Sequence, residues 1–261
     1  MKLNALLKTA GFLALAVSPA IAGTTYTAPP APPVDDATDL GITASLGYDS
    51  HFVFRGVQFA ENWVNSGIGV DVPLADNVSL VAGGSYAVAA DDNATIRGVS
   101  YQRLELNGGF AVDLGAAEVG LGYRFYNHQG RLSRILEDGH EVGLTVGSAL
   151  GPVNVGIGGY YDFGIEGWYF EAAVNSEIAL TDSISLVPGA SIGYAADYNW
   201  HLAGAGLDGF TAVGLSLALP IKLTKAATLT PYVAANLPID ALDSAGEDAL
   251  FFGGVRLSVS F

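Results

Sequence analysis

The chain has 261 residues, half of them hydrophobic and only 14% charged, with a formal charge of −15 and no cysteine. That acidity excludes a nucleic-acid surface or a polybasic membrane contact, and the missing thiols exclude disulfides, a thiol nucleophile and a Cys-ligated metal. Mean hydropathy is high at +0.37, yet beyond residue 22 no run of 18 apolar residues escapes a charge, which excludes a membrane-spanning helix. A chain that is oily overall but never oily for long fits a lipid-facing β-barrel, whose apolar residues come one in two.

Lys2 and Lys8 give a basic start, Ala10 to Val17 an apolar core, and Ala20-Ile21-Ala22 a small-residue end. This is the pattern of a secretory signal peptide over residues 1–22, so the mature chain is expected to begin near Gly23, outside the cytoplasm. Residues 23–39 are proline-rich and without periodicity, which predicts a flexible N-terminal tail.

Over residues 40–261 an alternation of apolar with small or polar residues returns twelve times, broken each time by turn residues. One parity carries Ile42, Ala44, Leu46 and Tyr48 in the first segment, and Leu104, Leu106, Phe110 and Val112 in the fourth. It carries Val153, Val155 and Ile157 in the seventh, and Val255, Leu257 and Val259 in the last. Period-two patterning at this length predicts an all-β fold, a transmembrane antiparallel up-and-down β-barrel of twelve strands. Connections after even segments are mostly short. Those after odd segments tend to be longer, notably Ala89 to Ser100, Asn127 to Gly139, Ala195 to Asp208 and Pro238 to Asp248. Short turns on one rim and long loops on the other are the asymmetry of an outer-membrane barrel, with both termini on the periplasmic, short-turn rim. Outward aromatics gather at the long-loop rim as an interfacial girdle: Tyr48, Phe52, Tyr86, Tyr123, Phe125, Tyr161, Phe163, Trp168, Phe170, Tyr194 and Phe251. Phe110 and Phe261 mark the opposite interface. Pro188 and Pro231 fall inside strands nine and eleven, where each predicts a bulge or a lost ladder bond.

The other parity faces the lumen and is rich in glycine, including Gly143, Gly158, Gly193 and Gly254. Twelve strands about 4.8 Å apart and tilted by ~40° enclose a backbone diameter of roughly 24 Å, and a glycine lining predicts a bore that stays open. The charged residues of this parity are the candidate pore lining. They are Asp49, Asp71, Glu105, Glu118, Glu141, Asp162, Glu171 and Glu177, against Arg55, Arg103, Arg124 and Arg256. The excess of carboxylates predicts an acidic lumen with a weak cation preference. The alternative is that these charges pair and merely hydrate the wall. Arg103, Glu105, Arg124, Glu141, Asp162 and Glu171 fall near the loop-side ends of neighbouring strands, where an arc of charge is expected.

The four histidines, His51, His128, His140 and His201, show no metal-ligand spacing, and the loop acids Asp91, Asp92, Glu137 and Asp138 match no calcium loop. No metal, cofactor or catalytic residue is expected. His140 has the parity and height of an outer-membrane lipid-modifying enzyme's histidine, but no serine nucleophile motif surrounds it.

Two stretches carry a resemblance. Residues 48–56, YDSHFVFRG, resemble the opening S-x-Y-x-F-R-G motif of the TorF-like porins of bacterial outer membranes, with Phe52 where that family usually has Tyr. The last strand, Leu250 to Phe261, resembles the closing strand of outer-membrane barrels, whose terminal Phe, here Phe261, is the signal read by the barrel-assembly machinery. The resemblance implies a non-enzymatic outer-membrane porin, exported by its leader and embedded in the lipid bilayer, that passes small hydrophilic solutes. A non-conducting structural or adhesive barrel acting through its long loops is the second reading. An inward-folded loop or large side chains filling the bore would favour it.

Overall fold

The computed structural model describes residues 41–90, 101–130, 136–198 and 207–261. The leader, the proline-rich tail, Asp91, Asp92 and His201 lie outside the described residues. Alternation becomes structure as expected: β1 (Ile42–Phe54), β2 (Val57–Ala75), β3 (Val78–Ala89), β4 (Tyr101–Asp113), β5 (Glu118–Gly130), β6 (Gly139–Leu150), β7 (Val153–Asp162) and β8 (Gly167–Ser176) follow one another. The short β9 (Ile178–Ala179) continues the line of β8 before β10 (Ser185–Tyr198), and the short β12 (Ile221–Lys222) continues β11 (Leu207–Ala218). A helix, α1 (Asp240–Ser244), separates β13 (Ala227–Pro238) from β14 (Leu250–Ser260). Each stave pairs antiparallel with its neighbours. The seam between β1 and β14 runs from Thr43↔Ser260 to Asp49↔Gly254, so twelve staves close on themselves and no edge is left.

Both strand-interior prolines interrupt a ladder without shifting it. β8 and β9 are one stave broken at Glu177, beside the Val187–Pro188 step of β10, and Gly189↔Asn175 and Leu186↔Ile178 stay in the same register across the gap. β11 and β12 break at Leu219–Pro220, beside Pro231, and Ala218↔Tyr232 and Ile221↔Leu229 are again in step. A missing amide donor costs a bond, but the flanking pairs hold the alignment.

The outward parity bares its apolar side chains. Leu46, Ile68, Leu121, Leu144, Ile157 and Val233 each expose more than half their surface in a ring around the barrel. Contiguous apolar surface on that scale needs lipid to cover it. Tyr48, Tyr86, Tyr123, Phe163, Trp168, Phe170, Tyr194 and Phe251 are exposed near the long-loop ends, joined by Phe210, and Phe110 and Phe261 are exposed near the other rim. Phe52 does not belong to that girdle. It is 3% exposed and stacks on Trp63 with ring centroids 4.6 Å apart.

The reason is the first hairpin. Wall pairing of β1 stops at Asp49↔Gly254 and that of β2 begins at Trp63↔Ala89. Among the described residues, 51–61 therefore pair in register with each other alone, while Asn62 O still accepts from Ala90 N at 2.8 Å. Asn62 takes a positive φ of 48° and the register shifts between Phe52 and Val53, which bends the hairpin away from the wall. Tyr48 Oη donates to Asn62 Oδ1 at 2.7 Å, pinning the bend. Every residue from Phe52 to Val57 is buried, on both faces of the ribbon. A ribbon buried on both faces cannot lie in a wall between lipid and water. It folds into the mouth of the barrel. The long loop expected after the first strand is therefore a two-residue turn, Arg55-Gly56, with φ of 53° and 87°. Positive φ at both positions is the primed hairpin turn that suits strand twist.

Candidate functional site

Around the hairpin the inward parity of the wall builds an aromatic and charged lining. Phe54 meets Tyr126 of β5 edge-on at 5.5 Å, and Phe59 lies 5.8 Å from Tyr101 of β4. Beneath the tip, Gly56 approaches Leu242 of α1 and Ala212 of β11 so closely that a Cβ would collide with Leu242, and Asn236 Nδ2 on β13 donates to its carbonyl at 2.8 Å. The hairpin thus leaves the wall between β1 and β2 and touches β4 and β5 on one side and β11 and β13 on the other. Burying Phe52, Phe54, Val57 and Phe59 contributes about 1.5–3 kcal/mol for each side chain, so packing alone holds the ribbon in place.

Its tip carries the charge. Arg55, with a side chain only 4% exposed, donates to the Tyr198 hydroxyl and to the carboxylate of Glu141, itself 1% exposed. Its guanidinium lies over Tyr169 at 4.5 Å, Tyr198 at 4.9 Å, Phe54 at 5.0 Å and Tyr160 at 5.3 Å. Two further arginines extend the arrangement. Arg103 packs over Tyr126 at 4.2 Å and Phe54 at 4.3 Å and pairs with Glu105 at 2.9 Å. Arg124 reaches Glu105 at 3.2 Å and Glu141 at 3.7 Å. Cation–π contacts that exclude water are worth about 2 kcal/mol or more. Losing one member of a buried ion pair costs about 3–5 kcal/mol, because the other charge is stranded.

The candidate residues therefore separate into groups. Arg55, Arg103, Glu105, Arg124 and Glu141 form one linked network at the long-loop end. Asp162 sits beside Glu141 in register but spends its Oδ1 on the turn after β7, accepting from the amides of Gly164 at 2.8 Å and Ile165 at 3.3 Å. Asp49 belongs to a second cluster at the seam. It accepts from Tyr232 Oη at 2.5 Å and Asn65 Nδ2 at 2.8 Å, and Arg256, two residues along the same seam, acts on it electrostatically. Glu171 lies between Gly158 and Gly193 on the neighbouring staves. Asp71 and Glu118 stand toward the short-turn rim, apart from the network, and Glu177 is exposed in the gap between β8 and β9.

The glycine lining has a different purpose from the one expected. A Cβ on Gly143 or on Gly158 would come within 2.6 Å of the Tyr160 side chain, Gly193 lies under Tyr169, and Gly254 lies against Tyr232 and Asp49. These glycines seat tyrosine rings flat on the wall instead of widening the bore. The tyrosines Tyr101, Tyr126, Tyr160, Tyr169, Tyr198 and Tyr232 are the functional residues that inspection of the sequence passed over. Tyr101, Tyr126, Tyr160 and Tyr169 each stand two residues from a charged neighbour of the same parity, Arg103, Arg124, Asp162 and Glu171, whereas no such neighbour marks Tyr198 or Tyr232. His140, on the outward face, has its ring Nδ1 2.5 Å from the Tyr123 hydroxyl and packs 5.0 Å from Phe125, an interfacial setting.

No family profile matches the chain, and no curated protein does. Solved structures do. An outer membrane channel from Pseudomonas putida F1 matches with a TM-score of 0.53 at 10% identity, over 87% of this chain and 99% of that one. The KdgM porin matches with a TM-score of 0.51 at 10% identity, over 84% and 99%. At that identity the likeness defines the fold: a closed, porin-type membrane barrel.

Proposed function

We propose that the chain is a bacterial outer-membrane channel for the passive passage of small hydrophilic solutes, with the β1–β2 hairpin narrowing its outer mouth. The observation that carries this reading is a closed barrel with lipid-facing apolar residues outside and buried charged and amide side chains inside, Asp49, Asn65, Arg103, Glu141, Asn236 and Arg256 among them. A barrel with no aqueous task has no need to bury them. The two solved barrels of the same fold are, by name, a channel and a porin, in keeping with this reading. The YDSHFVFRG motif, residues 48–56, covers the outgoing strand and the turn of the hairpin, so the resemblance to TorF-like porins falls on the element that shapes the mouth.

The polarity of the pore follows from the two groups of charge. In the hairpin network three guanidiniums, Arg55, Arg103 and Arg124, face the carboxylates of Glu105 and Glu141, and Asp162 stands beside Glu141 in register. The remaining inward charges, Asp49, Asp71, Glu118, Glu171 and Glu177 against Arg256, are acidic, and they give the bore its weak cation preference. The leader directs export, the barrel-assembly machinery reads Phe261, and the residues play no catalytic part.

Refolded protein in a planar bilayer under a salt gradient tests both statements. Current with a reversal potential on the cation side is expected. An anion-side potential would remove the acidic bore, and no current would remove the channel. The second reading, a non-conducting barrel acting through its rim, is favoured by one observation, the hairpin folded into the mouth. The same recording decides between the two.

A further inference from the structure

The hairpin's arginine is held like a bound ligand. Glu141 of β6, Tyr160 of β7, Tyr169 of β8 and Tyr198 at the end of β10 stand on the wall, and Tyr160 and Tyr169 are direct cross-strand partners. Only Arg55 and Phe54 come from the hairpin. The wall's share of the arrangement is thus complete without the element that fills it. Three tyrosine faces between 4.5 and 5.3 Å from a planar cation, with a carboxylate accepting from one terminal nitrogen and a tyrosine hydroxyl accepting from the other, are the recognition chemistry of a guanidinium. A compact ammonium would gain the charge but lose the planar stacking and the forked donors.

We propose that Glu141, Tyr160, Tyr169 and Tyr198 form a binding site for guanidinium-bearing cations, which Arg55 occupies as an intramolecular ligand. Resting on the channel reading, this names a class of solute for the same mouth. A guanidinium cation arriving at the long-loop rim competes with Arg55 for the cage, and success loosens the tip of the hairpin. The hairpin is separable from the wall, since its ladder to β14 ends at Asp49 and its ladder to β3 begins at Trp63. Arg55 and the Asn236 bond to Gly56 tie its tip polar to polar.

The test is a barrel in which residues 51–61 are replaced by Asn-Gly, which keeps every wall residue of the cage and closes the strands with a favoured two-residue turn. Titration with methylguanidinium in detergent, followed by calorimetry, is expected to show saturable binding of one cation per barrel. Adding Glu141→Gln should weaken that binding by about tenfold or more, because a charge-assisted bond is lost. The intact chain should bind more weakly by a similar factor, because its competent state is seldom empty. The full-length Arg55→Ala chain should bind like the shortened barrel. No saturable binding to either variant, or binding indifferent to Glu141→Gln, overturns the proposal. Bilayer conductance of the same shortened barrel reads the channel separately. Conduction without binding would sink the cage and spare the channel, whereas binding without conduction would do the reverse.

Discussion

The two halves of this barrel obey different rules. From the short-turn rim to about Asp49 and Trp63, each stave divides its residues between lipid and lumen, and the inward side chains are mostly small or polar, with Val81, Val187 and Tyr232 as apolar exceptions. Above that level the lumen is filled like the interior of a soluble domain. Phe52, Phe54, Phe59 and Trp63 pack against Tyr101, Tyr126, Tyr160, Tyr169 and Tyr198, and the ions are sealed among them. The lower half resembles a pipe and the upper half a stopper. A membrane barrel can therefore carry a hydrophobic core of its own, provided that a piece of chain leaves the wall to supply it.

The sharpest way to break this contrast is to truncate one apolar residue in each half. Phe59→Ala, at a fully buried position, should destabilise the docked hairpin by about 3–5 kcal/mol. Leu121→Ala on the lipid face should change stability far less, since lipid fills what the side chain leaves. Urea unfolding in detergent, with amide exchange at residues 50–62, would register the difference. Equal effects would mean that the hairpin is not a packed core.

Next in size is Glu141→Gln. It strands the Arg55 guanidinium in a buried site, takes one of two carboxylates from Arg124, and should cost about 3 kcal/mol or more of hairpin docking. Faster exchange of the hairpin amides is the expected signature, with the wall amides of β6 unchanged. A smaller loss, about 1–3 kcal/mol, is expected for Gly158→Val, which lifts Tyr160 off its seat and disturbs the cage without touching a charge. Thermal unfolding together with tyrosine fluorescence would check it. Smallest of all, the double change Asp71→Asn and Glu118→Gln should move the bilayer reversal potential toward zero by a few millivolts and leave hairpin exchange unaltered, because both residues lie in the lower half.

Much of the lower half was legible in the sequence. The staves, their parity, the seam and the lipid-facing ring all follow from period two, since lipid on one side and water on the other force the pattern on every residue. The upper half escaped for physical reasons. Residues 52–57 are buried on both faces, so alternation carries no meaning there, and Phe52 was placed outside when it lies within. The turn was missed because Arg55 holds a positive φ that Asn or Asp usually supplies, and no propensity signals it. The glycines misled in the opposite direction. Gly143, Gly158 and Gly193 look like an open bore until the rings of Tyr160 and Tyr169 are seen lying on them. Arg103, Glu105, Arg124 and Glu141 share one parity on neighbouring staves, and Arg55 joins them from the hairpin tip, a meeting that no single strand reveals.

The central claim is that the hairpin narrows a pipe that would otherwise be wider. Single-channel recording of the intact chain beside the barrel lacking residues 51–61, in the same bilayer and salt, tests it directly. The account predicts a small conductance from the intact chain and one several times larger from the shortened barrel. Equal conductances, or no current from the shortened barrel, would contradict it.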